Sequence, residues 1–279
     1  MKRITIASIQ PPFCDQASRA ANAYMVEKGF ALLEEALEKN TAFCCLPEFF
    51  NVFGAPQNEM KDLACNHKAL LERTCALAGQ YGSYIILPML VGERDRFFNR
   101  AYLVDPSGQP AGHYDKVHPT LAEREQLCVT AGDEIKIFAT EHGRIATPIC
   151  YDVYFPELFS ALTRLKPDIL FFPSLQRSDH ELASDALLRA RAMDTRAYIV
   201  RSSYGRQADL PWKAGMMFGQ SAIVHPDGTI LANAGHYEGF SMAQIQVPFT
   251  WQRQRCGGYP AAPVGEFLDA DRRPQVYDE

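Results

Sequence analysis

The chain predicts an α/β protein made of two pseudo-symmetric halves, each a sheet with helices on its outer side, the two sheets packed face to face. Three observations carry this. Apolar strand-like runs alternate with segments of helical period, the order strand, helix, strand, helix, strand, hairpin occurs twice, and no Ser/Gly-rich or charged linker separates the two rounds. Residues 1–279 are therefore expected to form one domain. An apolar content of 47% in 279 residues is enough for a substantial core.

The first round opens with RITIASIQ, an alternating strand, followed by Tyr24, Val26, Phe30, Leu33 and Leu37 at about helical spacing. AFCCL is a buried-strand candidate closed by Pro47, and its adjacent Cys44 and Cys45 face opposite sides. DLACNHKALLERTCALAGQY reads as a second helix and YIILPMLVG as a strand; NRAYLVDPSGQPAGHYDK reads as a hairpin turned at DPSG. Residues 117–143 connect to the second round. There RIATPIC is a strand, PELFSALTRL a short helix and DILFFPS a buried strand. DHELASDALLRARAMDTRA is a helix with an apolar set of Leu182, Ala186, Leu187, Ala190 and Met193, started by Ser178 and Glu181 at capping-box spacing. Arg189 and Arg191 with Asp194 read as structural ion pairs on that helix. YIVRSS and the hairpin GQSAIVHPDGTILANAG close the round. The tail from about residue 248 holds too much Pro and Gly for regular structure and is expected to run over a surface.

Composition narrows the function. Charged residues are 22% and the net charge is −5, which leaves no basic surplus for nucleic-acid phosphates or anionic lipid. The N-terminal segment shows no secretory signal and no run reaches membrane-spanning length. Eight cysteines without a CxxC argue for reduced thiols in a cytoplasmic compartment, against disulfides and against a zinc site.

Three ionisable residues share one address, immediately after an apolar strand: Glu48 after AFCCLP, Lys116 at the end of GHYDK, and Cys150 at the end of RIATPIC. Strand ends are where a rigid scaffold presents reactive groups to a cleft. A free thiol is only a few per cent ionised at neutral pH, so a nucleophilic cysteine needs a base and a stabilising charge. A partly desolvated carboxylate supplies the first and a lysine the second, aided by backbone N–H groups after Cys150. Each residue also has a plainer reading: a solvated turn Glu, a surface Lys, a core Cys. His118 in KVHP is a conceivable alternative base, but structural hydrogen bonding is the commoner role beside a strand end. Ser174 in SLQRS follows a buried strand and is a candidate for lining the cleft. No GxSxG, P-loop or GxGxxG motif is present.

LPEFF, YDKVHP and PICYDVYFPE, in that order, resemble the three signature blocks of the nitrilase superfamily of carbon-nitrogen hydrolases. FNRAYLVDPSG, LLRARAMDTRAYIV, GQSAIVHPDGTIL and RRPQVY are similar to further family segments, so the resemblance runs nearly end to end. It implies a four-layer αββα sandwich and a Glu-Lys-Cys triad that falls on Glu48, Lys116 and Cys150. A further family glutamate lies about seven residues before a Pro-Gly pair; EREQLCVTAGD matches with Glu125 by distance, though Ala131 replaces the Pro, and Glu123 is the alternative. The implied reaction is acyl transfer through a cysteine thioester, with the Tyr151 backbone N–H and Lys116 holding the oxyanion and with no metal or organic cofactor.

The residues after the nucleophile narrow the branch. Nitrile-cleaving members typically show Cys-Trp-Glu, whereas Cys150-Tyr151-Asp152 is similar to amide-cleaving branches. Tyr154 stands where omega-amidase-like members carry an Arg that clamps a carboxylate and where carbamoylputrescine-cleaving relatives carry Trp. Tyr154 thus suits a neutral or cationic small amide or N-carbamoyl substrate, or is simply a pocket wall. The rivals are nitrile hydrolysis with the same triad, a catalytically silent binding module, and transfer of the acyl group to an amine. By resemblance a homodimer or larger homo-oligomer is expected.

Overall fold

Alternation along the first strand decides the layers. In β1 (Lys2–Gln10) Ile4 and Ile6 point between the two sheets, while Ala7 and Ile9 point to the helical side. The same period separates Cys44 from Cys45: Cys45 joins the intersheet core and Cys44 the helix-facing one. The structure is a computed structural model that describes residues 2–175, 177, 181–206, 211 and 215–277.

After β1 and the two-residue β2 (Pro12–Phe13), the first half runs α1 (Arg19–Leu37), β3 (Phe43–Cys45), α2 (Gln57–Cys65), α3 (Lys68–Tyr81), β4 (Tyr84–Glu93), β5 (Arg96–Val104) and β6 (Pro110–Asp115). α4 (Leu121–Gln126) and β7 (Phe138–Thr140) lie in the connection. The second half runs β8 (Gly143–Ala146), a 3₁₀ turn (Cys150–Tyr154), α5 (Pro156–Leu165), β9 (Ile169–Pro173), α6 (Glu181–Thr195), β10 (Tyr198–Ser202), β11 (Gly205–Arg206), β12 (Ala222–Val224) and β13 (Ile230–Asn233). β14 (Gly239–Val247), β15 (Gln252–Arg253), β16 (Ala262–Pro263), α7 (Val264–Asp271) and α8 (Pro274–Tyr277) complete the described chain.

Two six-stranded sheets form, ordered β14-β1-β3-β4-β5-β6 and β13-β12-β10-β9-β8-β7. Each half repeats one topology. β1, β3 and β4 are parallel and are continued by antiparallel β5 and β6, just as β8, β9 and β10 are parallel and are continued by antiparallel β12 and β13. β14 extends the first sheet beside β1 and β7 extends the second beside β8, both antiparallel. The inner faces share one core that includes Ile6, Phe43, Ile86, Leu103, Tyr114, Ile145, Phe171, Val200 and Ile245. The expected pair of face-to-face sheets with helices outside is the observed architecture.

Several elements differ from the sequence reading. The expected second helix is two, α2 and α3, broken at Asn66 and His67. Tyr24 is exposed, and α1 instead buries Met25 with Val26, Phe30, Leu33 and Leu37. On α6 the buried positions are Ser184, Leu188, Arg191, Ala192 and Thr195, whereas Ala186, Ala190 and Met193 face outward. The reason is Arg191, whose Nε donates to Val153 O at 3.0 Å while its guanidinium lies over the Phe159 ring, so a cation sits on the inner face. Arg191 pairs with Asp194 as expected, but Arg189 pairs with Asp185. Ser178 and the side chains of Glu181 and Leu182 lie outside the described residues. The tail is partly regular: α7 docks through Asp269 onto Lys166 and Arg196, the residues that end α5 and follow α6.

Candidate active site

Three strand ends converge. β3 runs into Leu46, Pro47 and Glu48, and this turn is fastened to β4 by Leu46 N–H donating to Ile86 O and Phe50 N–H to Pro88 O. The chain reverses at Phe49, whose φ is +56°, a left-handed conformation uncommon outside glycine. Lys116 continues the β5–β6 ladder by one residue, its N–H donating to Asn99 O at 2.9 Å. Gly132 packs on the same strand end so closely that a Cβ there would stand 2.2 Å from Asp115 O, and its N–H donates to Lys116 O. Only glycine fits that approach.

Cys150 begins the 3₁₀ turn with φ +45°, a strained conformation that lifts its side chain out of the strand line. Asp152 holds this elbow. Its fully buried carboxylate accepts from Ile149 N–H (2.9 Å), His118 N–H (3.0 Å), Tyr114 Oη (2.8 Å) and His118 Nδ1 (2.8 Å). The turn that carries Cys150 is thereby tied to the Lys116 segment. His118 is stacked on Phe155 at 3.6 Å, and its Nδ1 is hydrogen-bonded to Asp152, the structural pairing expected beside a strand end.

At the centre is a closed ring of charge-assisted hydrogen bonds. Lys116 Nζ donates to Glu48 Oε1 and to Glu123 Oε2, each at 2.8 Å. Asn99 Nδ2 donates to Glu48 Oε1 at 2.7 Å and to Glu123 Oε1 at 2.6 Å. All four side chains are buried. Glu123 Oε2 also takes the Thr120 N–H, the reciprocal half of a capping box that opens α4. Glu48 is steadied through its backbone as well, its carbonyl accepting from the Tyr204 hydroxyl at 3.2 Å. Glu48 Oε2 has no hydrogen-bond partner within the protein, and Cys150 is, with Lys116 and Glu123, one of the groups that interact with this carboxylate.

The electrostatics separate the two carboxylates. Burial raises Glu48 above the ordinary carboxyl range, against the pull of Lys116. Burial would raise Glu123 too, but the Lys116 charge, with hydrogen bonds from Lys116, Thr120 and Asn99, overcomes it and leaves Glu123 lowered. Lys116 is held protonated: burial opposes its charge, yet Glu48, Cys150 and Glu123 raise it. Burial and then the Glu48 carboxylate push the Cys150 thiol well above its ordinary value, against Lys116 and the Leu175 backbone N–H. The two buried carboxyls are thus shifted in opposite directions, Glu48 up and Glu123 down, beside a cationic Lys116 and a neutral Cys150 thiol.

The predicted residues fall as follows. Glu48, Lys116 and Cys150 come together. Glu125 does not join them: it is exposed on α4, two residues and a helical half-turn from the inward face, and the glutamate at Lys116 is Glu123. Ser174 is adjacent but fully buried, its N–H and hydroxyl both directed at Ser202 O, so its hydroxyl faces the interior and not a cleft. The Tyr151 and Tyr154 side chains are exposed next to Cys150, their rings 5.5 Å apart, and the Tyr151 N–H lies in the first turn of the 3₁₀ segment, where no intrahelical acceptor exists. Asn99, Asp152 and Tyr114 carry site geometry that the sequence reading passed over. The hairpin register held the signal for Asn99: with Arg100 opposite Asp115, Asn99 is the neighbour of Lys116.

Comparison with known proteins gives the same direction. The family model "Carbon-nitrogen hydrolase" matches residues 5–253. A deaminated glutathione amidase of Synechocystis is 28% identical over 231 residues, covering 77% of this chain and 83% of that one. An omega-amidase of Xenopus tropicalis is 25% identical over 227 residues, covering 78% and 81%. Among solved structures, an amidase from Nesterenkonia sp. superposes with TM-score 0.76 at 19% identity, covering 98% of this chain and 94% of that one. Saccharomyces cerevisiae Nit3, described as a member of branch 10 of the nitrilase superfamily, superposes with TM-score 0.75 at 24% identity, covering 91% and 97%. With a family match over most of its length, the chain belongs to the carbon-nitrogen hydrolase family.

Proposed function

We propose that this protein hydrolyses the carbon-nitrogen bond of a small amide or N-carbamoyl compound through a thioester on Cys150. The observation that carries the reading is the buried ring of Glu48, Lys116, Glu123 and Asn99, which leaves one Glu48 oxygen without a partner and interacts with Cys150, a residue of positive φ. Glu48 takes the thiol proton as sulfur bonds to the carbonyl carbon. Lys116 has three N–H donors, two of them held by Glu48 and Glu123, so the third is directed to the oxyanion together with the Tyr151 N–H. The carbon-nitrogen bond then breaks and Glu48 returns the proton to the leaving amine or ammonia. Water adds to the thioester, its proton passes to Glu48, the carbon-sulfur bond breaks and the thiol is restored. The sum is one amide and one water giving one acid and one amine.

Glu123 acts through Lys116, since both its oxygens are engaged within the protein. Amides are preferred to nitriles because Cys150-Tyr151-Asp152 departs from the nitrile-cleaving pattern and the named relatives are amidases. Uncharged Tyr154 offers no ion-pair clamp for a substrate carboxylate, which supports a neutral or cationic substrate end. The test is ammonia release from a panel of short amides, N-carbamoyl compounds and matched nitriles. Turnover of amides or carbamoyl compounds, lost in Cys150→Ser, is expected; faster turnover of the matched nitriles, or full activity in Cys150→Ser, would contradict the reading.

A further inference from the structure

Asn99 makes an unusual choice of partners. It is fully buried at mid-strand in β5, and its amide nitrogen serves two carboxylates at once while its own Oδ1 has no hydrogen-bond partner. A side chain that only knitted strands together would satisfy its carbonyl first, because an unpaired buried acceptor is destabilising. The reverse orientation would set Oδ1 against Glu48 Oε1 and Glu123 Oε1, so the amide nitrogen must face them. Lys116 already supplies one donor to each carboxylate. The second donor therefore fixes orientation. With Lys116 and Asn99 both on Oε1 of Glu48, the carboxylate cannot rotate to exchange its oxygens without losing two charge-assisted bonds, and Oε2 is left as the oxygen with no partner within the protein.

We infer that Asn99 is the positioning residue that selects Glu48 Oε2 as the proton-accepting oxygen, by donating to Oε1 of both buried carboxylates. This rests on the reading of Cys150 as nucleophile. The Asn99 side chain donates to Glu48 and Glu123, and it acts through Glu48. The titratable groups around Glu48 are Lys116 after β6, Glu123 on α4, Cys150 after β8 and Tyr204 after β10. Both bonds from Asn99 favour the ionised carboxylates, so removing them makes Glu48 harder to ionise.

The test needs no natural substrate. Iodoacetamide alkylates cysteine as the S–C bond forms, iodide leaves and the thiol proton passes to the base. Its rate at Cys150 is followed by peptide mass spectrometry from pH 4.5 to 9, with exposed Cys65 as internal reference. In the unaltered protein, Cys150 labelling should rise with an acid-side midpoint belonging to Glu48 and exceed that of Cys65 at neutral pH. In Asn99→Leu the midpoint should move up by about one to two pH units, the worth of one hydrogen bond to a charged group. Cys65 should not change. Asn99→Asp keeps the shape but adds a third carboxylate to one ammonium, so its midpoint should rise as well; it serves if the Leu variant does not fold. A folded Asn99 variant with lowered melting temperature and an unmoved midpoint would reduce Asn99 to a structural role and overturn the inference. Cys150 labelled no faster than Cys65 in the unaltered protein would instead overturn the nucleophile reading itself.

Discussion

Replacing Lys116 by Met removes the one ammonium from the buried ring while keeping most of the side-chain volume. Two carboxylates, Glu48 at 1% exposure and Glu123 at 4%, then share only the Asn99 amide. Removing one partner of a buried ion pair costs about 3–5 kcal/mol. At about 2 °C per kcal/mol for a chain of this size, that lowers the melting temperature by about 6–10 °C at neutral pH. The sign of the pH dependence follows from the same change. In the native ring Lys116 lowers Glu123, which contributes stability above pH 4.5, its ordinary value, and loses it as pH falls through the lowered one. Without Lys116, burial and the mutual repulsion of the two acids outweigh the remaining bonds from Asn99 and Thr120, and both carboxyls are raised above 4.5 in the folded state. Their penalty is then absent below pH 4.5, grows as pH rises through the raised values and is complete beyond them. Urea and thermal unfolding of Lys116→Met and the unaltered protein at pH 5 and pH 8 should show the deficit at pH 8 and its contraction at pH 5. A deficit below about 1 kcal/mol at pH 8, within what a surface ion pair is worth, or one independent of pH, would refute the reasoning.

Other consequences are checked by activity on whichever amide the ammonia screen identifies. Glu123→Gln should lower kcat by about a hundredfold or more because it loosens Lys116 from the oxyanion, whereas Glu125→Gln should stay within about twofold of unaltered activity. Equal effects would contradict the assignment of the second glutamate. The pH profile of kcat/KM should fall on the acid side as Glu48 takes up a proton, with a midpoint above 4.5 because burial raises that carboxyl. A midpoint at or below 4.5 would remove Glu48 as the base.

Much of the fold was legible because its strands and helices carry strong periodicity. Repetition of one order of elements announced the pseudo-symmetric sheets, and the strand ends made Glu48, Lys116 and Cys150 candidates, which the family resemblance turned into a triad. What escaped is instructive. β14 alternates, but Ser241, Gln244 and Gln246 dilute its apolar signal, and its pairing with β1 spans the whole chain. α6 was turned to the wrong face because a period of apolar residues gives no hint that Arg191 goes inside. Counting back from Gly132 led to Glu125, yet Thr120 and Glu123 already stood at capping-box spacing, which folds Glu123 back over the helix start beside Lys116. Asn99 was passed over because a buried amide between two acids has no local pattern; only hairpin register reveals it. In the tail, α7 forms despite its flanking Pro263, which occupies the N-cap, and Gly265, which lies against Arg196.

The most direct test of covalent catalysis is to quench the enzyme in acid during turnover of an amide and weigh it intact. An added mass equal to the acyl group, carried on the Cys150 peptide and discharged by hydroxylamine, is expected if catalysis is covalent. Steady ammonia release with Cys150 unmodified at every quench time, or the acyl group on another residue, would contradict it.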